Sequence, residues 1–155
     1  MPDTQNASLL EPLSEALETM AFISPLPAPA DAPAPGQARL VEMEFACPRY
    51  GTIRLAAGAA FGALLAANVL GEDPSSPEAA AAGDDALREL INIVCGAAIR
   101  RFGLAADERL HMSLPTVQEL ATPEQWASFV AMPGVHMLDA DGHVIAFQTI
   151  GLEPS

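Results

Sequence analysis

The chain has 155 residues, half of them hydrophobic, which predicts a single domain with a core of its own. Its formal net charge is −13, all 7 basic residues are arginine, and lysine is absent. Seven cations are too few to form a broad basic surface. The composition therefore argues against binding to nucleic acid or to an anionic membrane. The N-terminal residues lack the basic and apolar regions of a signal peptide, and no apolar run reaches the ~20 residues of a membrane span. We therefore expect a cytoplasmic location, with Cys47 and Cys95 as buried, reduced thiols.

The predicted domain has three parts along the chain. Residues 1–23 form an N-terminal helical part, because leucines recur at three- and four-residue steps between about 7 and 22. Residues 24–37 are rich in proline and alanine, which predicts an extended connector that cannot hold a helix. Residues 38–152 form the remainder of the same domain.

The remainder alternates between strand and helix signals. Strands are predicted at 39–47, 51–57, 108–114, 135–139 and 143–152. Helices are predicted at 58–70, 86–102 and 122–129. Gly71 and Gly103 follow two of these helices as end signals, and Asp84 or Asp85 is the expected cap of the second. The order predicts an α/β (α+β) sandwich, with a mainly antiparallel sheet, helices packed on one face, and a weak internal repeat of helix and hairpin.

The predicted helix 86–102 carries a polar stripe on its outward side. The stripe has steps of four, three and four residues and consists of Asp85, Glu89, Asn92 and Gly96. Ile93 and Ile99 flank it on the helical wheel. A glycine inside a helix costs about 1 kcal/mol relative to alanine. Close approach by another body explains such a glycine, and that body is the N-terminal helix, a second copy of the chain or a partner protein.

The stripe belongs to a longer pattern, D-x3-E-x2-N-x22-P, which runs from Asp85 to Pro115. This pattern resembles the signature of the CheC/CheX/FliY family, phosphatases that dephosphorylate chemotaxis response regulators. Three further segments are similar to parts of the family pattern: GTIRL from Gly51, ELINIVCGAA from Glu89 and LPT from Leu114. The resemblance covers about residues 8–150.

The N-terminal helix contains a degenerate copy of the same motif. Ser14 and Glu18 keep the spacing, but Ala21 stands where the asparagine is expected, and Glu44 stands where the proline is expected. CheC-type members often carry two active helices, whereas CheX-type members use one. The chain therefore resembles a CheX-like member with a single site.

The resemblance implies a phosphatase that acts on the aspartyl phosphate of a CheY-like receiver domain. Asn92 would position the attacking water, Glu89 would pair with a lysine of the receiver, and Asp85 and Pro115 would support the motif. An amide orients water without a shifted pKa, and positioning dominates phosphoryl transfer. The receiver would supply Mg²⁺, and this chain would bind no cofactor or metal of its own. The expected partner-docking residues are Ile93, Gly96 and Ile99.

Two further expectations concern partners. The same helix face would also suit a non-catalytic receiver-binding or flagellar-switch-like adaptor. The resemblance also implies a homodimer formed by strand exchange, for which the final hairpin is a suitable element.

Overall fold

A computed structural model of the chain describes residues 2–29, 31–46, 50–101 and 111–151. Within these ranges the helices are α1 (Pro2–Ala21), α2 (Ala59–Leu70), α3 (Pro77–Ala81), α4 (Gly83–Arg101) and α5 (Pro123–Val130). The strands are β1 (Leu26–Pro27), β2 (Ala38–Ala46), β3 (Tyr50–Gly58), β4 (His111–Met112), β5 (Thr116–Leu120), β6 (Val135–Ala140) and β7 (His143–Ile150).

All strands join one antiparallel sheet in the order β1-β6-β7-β3-β2, and both β4 and β5 pair with the far side of β2. The hairpins β2–β3 and β6–β7 meet at the centre, where Leu55 of β3 lies opposite Phe147 of β7. The predicted antiparallel α+β architecture is confirmed. The internal repeat stays a prediction.

The sheet buries both of its faces over part of its area. Val41, Met43 and Phe45 of β2 belong to the main core, which also includes buried residues of α1, α2 and α4. Ala38 and Leu40 belong to a second cluster with Trp126 and Phe129 of α5. Successive side chains of a strand point to opposite faces, so α5 lies across the sheet from the main helical layer. The prediction that the helices pack on one face of the sheet therefore holds for α1, α2 and α4. Helix α5 differs, because it packs on the opposite face.

A close approach between two glycines fixes α2 against the start of α4. A Cβ atom on Gly62 would lie 2.9 Å from the carbonyl oxygen of Gly83, which is closer than such atoms come in proteins. The absence of both side chains lets the two backbones touch. At its other end α2 stops at Gly71, whose φ of 70° is the left-handed conformation expected after a helix.

Several predicted boundaries differ from the structure. α4 begins at Gly83, so Asp84 and Asp85 lie in its first turn, where their charge favours the helix dipole, and the prediction that one of them caps it is wrong. The sequence prediction left out α3, β1 and β5. Gly103, Cys47 and the first residues of the predicted strand 108–114 lie outside the described residues.

Candidate functional site

Helix α4 is held by neighbours on several sides. At its C-terminal end Arg101 pairs with Glu11 and Glu15 of α1, at 2.8 and 3.1 Å. At its N-terminal end Ala86 lines the same depression as Met20, near the end of α1, so the two helices run antiparallel. α4 also contacts α2 and the sheet strands β2, β3 and β5. This packing leaves only a narrow strip of α4 exposed.

The exposed strip carries Asp85, Glu89 and Asn92, as the sequence spacing predicts. A carboxylate oxygen of Asp85 accepts a hydrogen bond from Nη1 of Arg88 at 2.7 Å. In the part of the chain that the structure describes, the side chains of Glu89 and Asn92 make no hydrogen bond or ion pair. A free carboxylate and a free amide thus stand one helical turn apart on a well-supported helix, where a second molecule can reach both.

The structure separates the two isoleucines that flank the strip. Ile93 is half-buried and contacts the edge of the main core, so part of it faces outward. Ile99 is only 5 % exposed and belongs to the core itself. The prediction that Ile99 forms part of the docking face is wrong, because α4 buries more of its circumference than a helix with a single buried face.

Gly96 is half-buried and has room for a side chain. Among the described residues, an added Cβ atom would meet only Nη1 of Arg100, at an ordinary contact distance of 3.6 Å. No described atom of α1 approaches it closely, so the interpretation that α1 requires this glycine is not supported. The remaining explanations are a second copy of the chain or a partner protein.

Pro115 lies in the short segment between β4 and β5 and is half-buried. Just before it, the N–H of Ser113 donates to the carbonyl of Glu44 at 2.8 Å, and the N–H of Glu44 donates to the Ser113 hydroxyl at 2.9 Å. Met112 of β4 lies beside α4, with its sulfur 3.8 Å from Sγ of Cys95. The Pro115 segment is therefore anchored to β2 on the flank of the helix that carries Glu89 and Asn92.

An apolar depression opens beside the strip, and sequence reasoning did not find it. Its volume is about 180 Å³, and its rim includes Asp85 and Glu89. We call it the Glu89 groove; its apolar lining comprises Met20, Ala66, Val69, Leu70, Ala82 and Ala86. The lining comes from segments that are far apart in sequence, so no local pattern reveals it. The one available signal was a pair of large apolar residues, Val69 and Leu70, in the last turn of α2.

The degenerate motif on α1 lacks both the chemistry and the exposure of the motif on α4. Glu18 is exposed, but Ala21, which takes the place of the asparagine, has no amide and is only 7 % exposed. Within the degenerate motif, α1 therefore offers no equivalent of Asn92.

Other kinds of site are not visible in the described ranges. Over those residues, no cluster of three or more His, Cys, Asp and Glu side chains is arranged to hold a metal ion. No described helix is both long and apolar enough to cross a membrane. Cys95 is a buried free thiol, and burial raises its pKa to about 11, which makes it a poor nucleophile.

Comparison with solved structures identifies the fold. CheX from Desulfovibrio desulfuricans is 14% identical and superposes with a TM-score of 0.64, over 94% of this chain and 97% of that one. CheX from Vibrio vulnificus is 18% identical, with a TM-score of 0.62 over 92% and 95% of the two chains. A complex of CheX, CheY, BeF3 and Mg²⁺ from Borrelia burgdorferi matches at 15% identity, with a TM-score of 0.61 over 93% and 95%.

Comparison of the sequence itself identifies the family. No curated protein sequence matches the chain. The family model described as "Chemotaxis phosphatase CheX" matches residues 41–124. This range is more than half of the chain and includes α4 with Glu89 and Asn92, as well as Pro115. With the motif, the fold and the family model in agreement, the chain belongs to the CheX family of chemotaxis phosphatases.

Proposed function

We propose that the chain accelerates hydrolysis of the aspartyl phosphate on a CheY-like receiver domain. The observation that carries this proposal is the pairing of Glu89 with Asn92 on one exposed strip, where neither side chain has a partner among the described residues. Membership of the CheX family supports the reaction type. The CheX relative from Borrelia burgdorferi, solved together with CheY, supports the class of partner.

In this proposal Asn92 positions the attacking water. Its amide can donate one hydrogen bond and accept another, so it fixes the water in line with the phosphorus atom without gaining or losing a proton. Phosphoryl transfer has a loose transition state, so alignment and charge stabilisation account for most of the acceleration. The receiver holds the Mg²⁺ that neutralises the phosphoryl oxygens, and this chain binds no cofactor for the reaction.

Glu89 would fix the orientation of the receiver by pairing with one of its lysines. Two residues three positions apart on a helix project from neighbouring points of its surface. A salt bridge at Glu89 would therefore place Asn92 at a defined position relative to the acylphosphate. Asp85 contributes through its contact with Arg88 in the first turn of α4.

The test is the decay of receiver phosphate with and without the protein. Wild type is expected to shorten the phosphoryl lifetime, and Asn92→Ala should lose the acceleration by on the order of 100-fold, since misplaced water costs about that much. Asn68→Ala is the matched control, because Asn68 is another exposed helical asparagine. Circular dichroism should show the same fold for both variants.

The same experiment separates the phosphatase from the adaptor. Receiver binding that Asn92→Ala leaves intact, without turnover by wild type, would establish the adaptor and reject the phosphatase. Loss of turnover in Asn92→Ala with retained binding supports the phosphatase.

A homodimer formed by strand exchange is a further part of the proposal. Within the sheet, the hairpin β6–β7 is joined to β3 only through β7. A second copy of the chain could therefore supply its own β6–β7 hairpin to β3 in the same register. Light scattering should then give the mass of two chains. A monomer at high concentration would contradict it.

A further inference from the structure

The Glu89 groove has the size and lining of a pocket for one apolar side chain. Its volume of about 180 Å³ exceeds the roughly 150 Å³ of a cavity that accepts benzene. Its apolar lining comes from α1, α2 and the segment that begins α4, and carboxylates appear only at Asp85 and Glu89. An occupant of this groove would therefore lie against Glu89.

Two large apolar residues that line this groove are exposed to solvent. Val69 is 66 % exposed and Leu70 is 51 % exposed, although both line the groove. Grouped exposure of this kind is typical of a surface that another protein covers.

The charge distribution argues against a second copy of this chain as that cover. The chain has a net charge of −13. Every arginine in the described ranges already pairs with a carboxylate of its own chain; these are Arg39, Arg54, Arg88, Arg100 and Arg101. A second copy would bring more acidic surface toward Glu89. Among its described residues, it would have no unpaired arginine to place next to the Glu89 carboxylate. The occupant must bring both an apolar side chain and a cation.

We infer that the Glu89 groove receives one apolar side chain of the phosphorylated receiver, next to the receiver cation that pairs with Glu89. The identity of the partner rests on the proposed function. The two contacts are complementary: the ion pair sets orientation, and burial of the apolar side chain supplies affinity. Because Glu89 borders both the groove and the exposed strip, one rigid partner can occupy both at once.

The test measures binding of purified CheY-like receiver domains from the same genome, each loaded with Mg²⁺ and beryllium fluoride. The double variant Val69→Ser with Leu70→Ser replaces two exposed residues, so the fold should persist. Its Kd for the receiver should rise roughly tenfold, because apolar area is no longer buried on binding. Turnover at saturating phosphorylated receiver should stay at the wild-type rate, because Asn92 is unchanged.

A second variant tests the concavity itself. Ala82→Leu keeps the lining apolar but places a larger side chain in the groove, so it should also weaken receiver binding several-fold. Met132→Ser is the control, since Met132 is an exposed apolar residue that follows α5 on the other face of the sheet. Its affinity should match that of wild type.

The outcomes separate this inference from the proposed function. Unchanged Kd in both groove variants would overturn the inference, even if Asn92→Ala abolishes turnover. Groove variants that change the self-association mass and leave receiver binding intact would also overturn it, because a second copy would then be the occupant. Weaker binding by the groove variants, with no turnover by wild type, would support the groove and reject the phosphatase. Failure of every receiver to bind wild type would reject both.

Discussion

At the level of single residues, Glu89 and Asn92 have separable tasks, one in binding and one in chemistry. Glu89→Gln keeps the shape of the side chain and removes its charge. We expect the KM for phosphorylated receiver to rise about tenfold and kcat to fall several-fold, because loss of the ion pair weakens docking and loosens the orientation that places Asn92. Receiver-phosphate decay at several receiver concentrations gives both constants.

Salt provides the control for the Glu89 prediction. Added salt screens exposed charges, so the KM of wild type should rise with ionic strength more steeply than that of Glu89→Gln. An equal fall in kcat and kcat/KM, with unchanged KM, would instead mean that Glu89 acts in the transition state.

Gly96 gives a second prediction at the level of one residue. The site has room for a methyl group, so Gly96→Ala should stabilise α4, and hence the protein, by about 1 kcal/mol. If a partner approaches the backbone there, the same variant should raise the KM for the receiver several-fold. Thermal denaturation and phosphate decay measure the two effects. A more stable variant with wild-type KM would remove Gly96 from the docking face.

The exposed positions of the candidate site residues were largely predictable, but their surroundings were not. The four-three-four spacing correctly places Asp85, Glu89 and Asn92 on one exposed strip. On an ideal wheel Ile99 lies close to Asn92, yet the structure buries it. A helical wheel represents one helix alone, whereas the burial of a side chain depends on the elements that pack around that helix. α4 packs against α1, α2 and the sheet, so more of its surface is buried than the wheel suggests.

At the level of elements, the distance between α2 and α4 shapes the Glu89 groove. A Cβ atom on Gly62 would collide with the backbone of Gly83, and backbone cannot rotate away as a side chain can. We therefore expect Gly62→Ala to reduce the free energy of unfolding by about 1–3 kcal/mol. It should also raise the KM for the receiver, since the two helices form opposite sides of the groove. Denaturant unfolding gives the first quantity and phosphate decay the second.

Gly96→Ala serves as the matched control for that variant, because it makes the same substitution in a helix at an open position. Opposite signs of the two stability changes are expected. Destabilisation of similar size by both variants would mean that helix packing at Gly62 is not the cause.

The elements missing from the sequence prediction had weak or local signals. α3 is only five residues long, although Ser76 as cap and Pro77 at its first position are the usual start signals. β5 is an edge strand whose residues are mostly exposed, so its sequence lacks a clear alternation of apolar and polar residues. In addition, Pro115 indicated the end of a strand, whereas β5 begins at the next residue. Short edge elements depend on pairing with distant strands, which a single sequence does not show.

At the level of the whole molecule, the absence of lysine simplifies its response to alkaline pH. Arginine stays protonated, so few side chains can titrate between pH 8.5 and 11. Cys95 is one of them, and burial raises the pKa of its thiol from 9.0 to about 11. Between these values the unfolded chain loses the Cys95 proton while the folded protein keeps it. The unfolded state then binds fewer protons, so stability falls as pH rises.

We therefore expect the free energy of unfolding to be nearly constant between about pH 7 and 8.5 and to fall by about 2 kcal/mol between about pH 9 and 11, since one pKa unit corresponds to about 1.4 kcal/mol. Cys95→Ala removes the titrating group, so the stability of this variant should be nearly independent of pH over the same interval. At neutral pH the variant should be less stable than wild type, because a buried side chain is truncated. Tyr50→Phe is the control, because Tyr50 is exposed and should leave the slope in place. Urea unfolding at half-unit steps of pH measures all three proteins. A slope that persists in Cys95→Ala would assign the alkaline loss to another group and contradict the burial of this thiol against Met112 on the flank of α4.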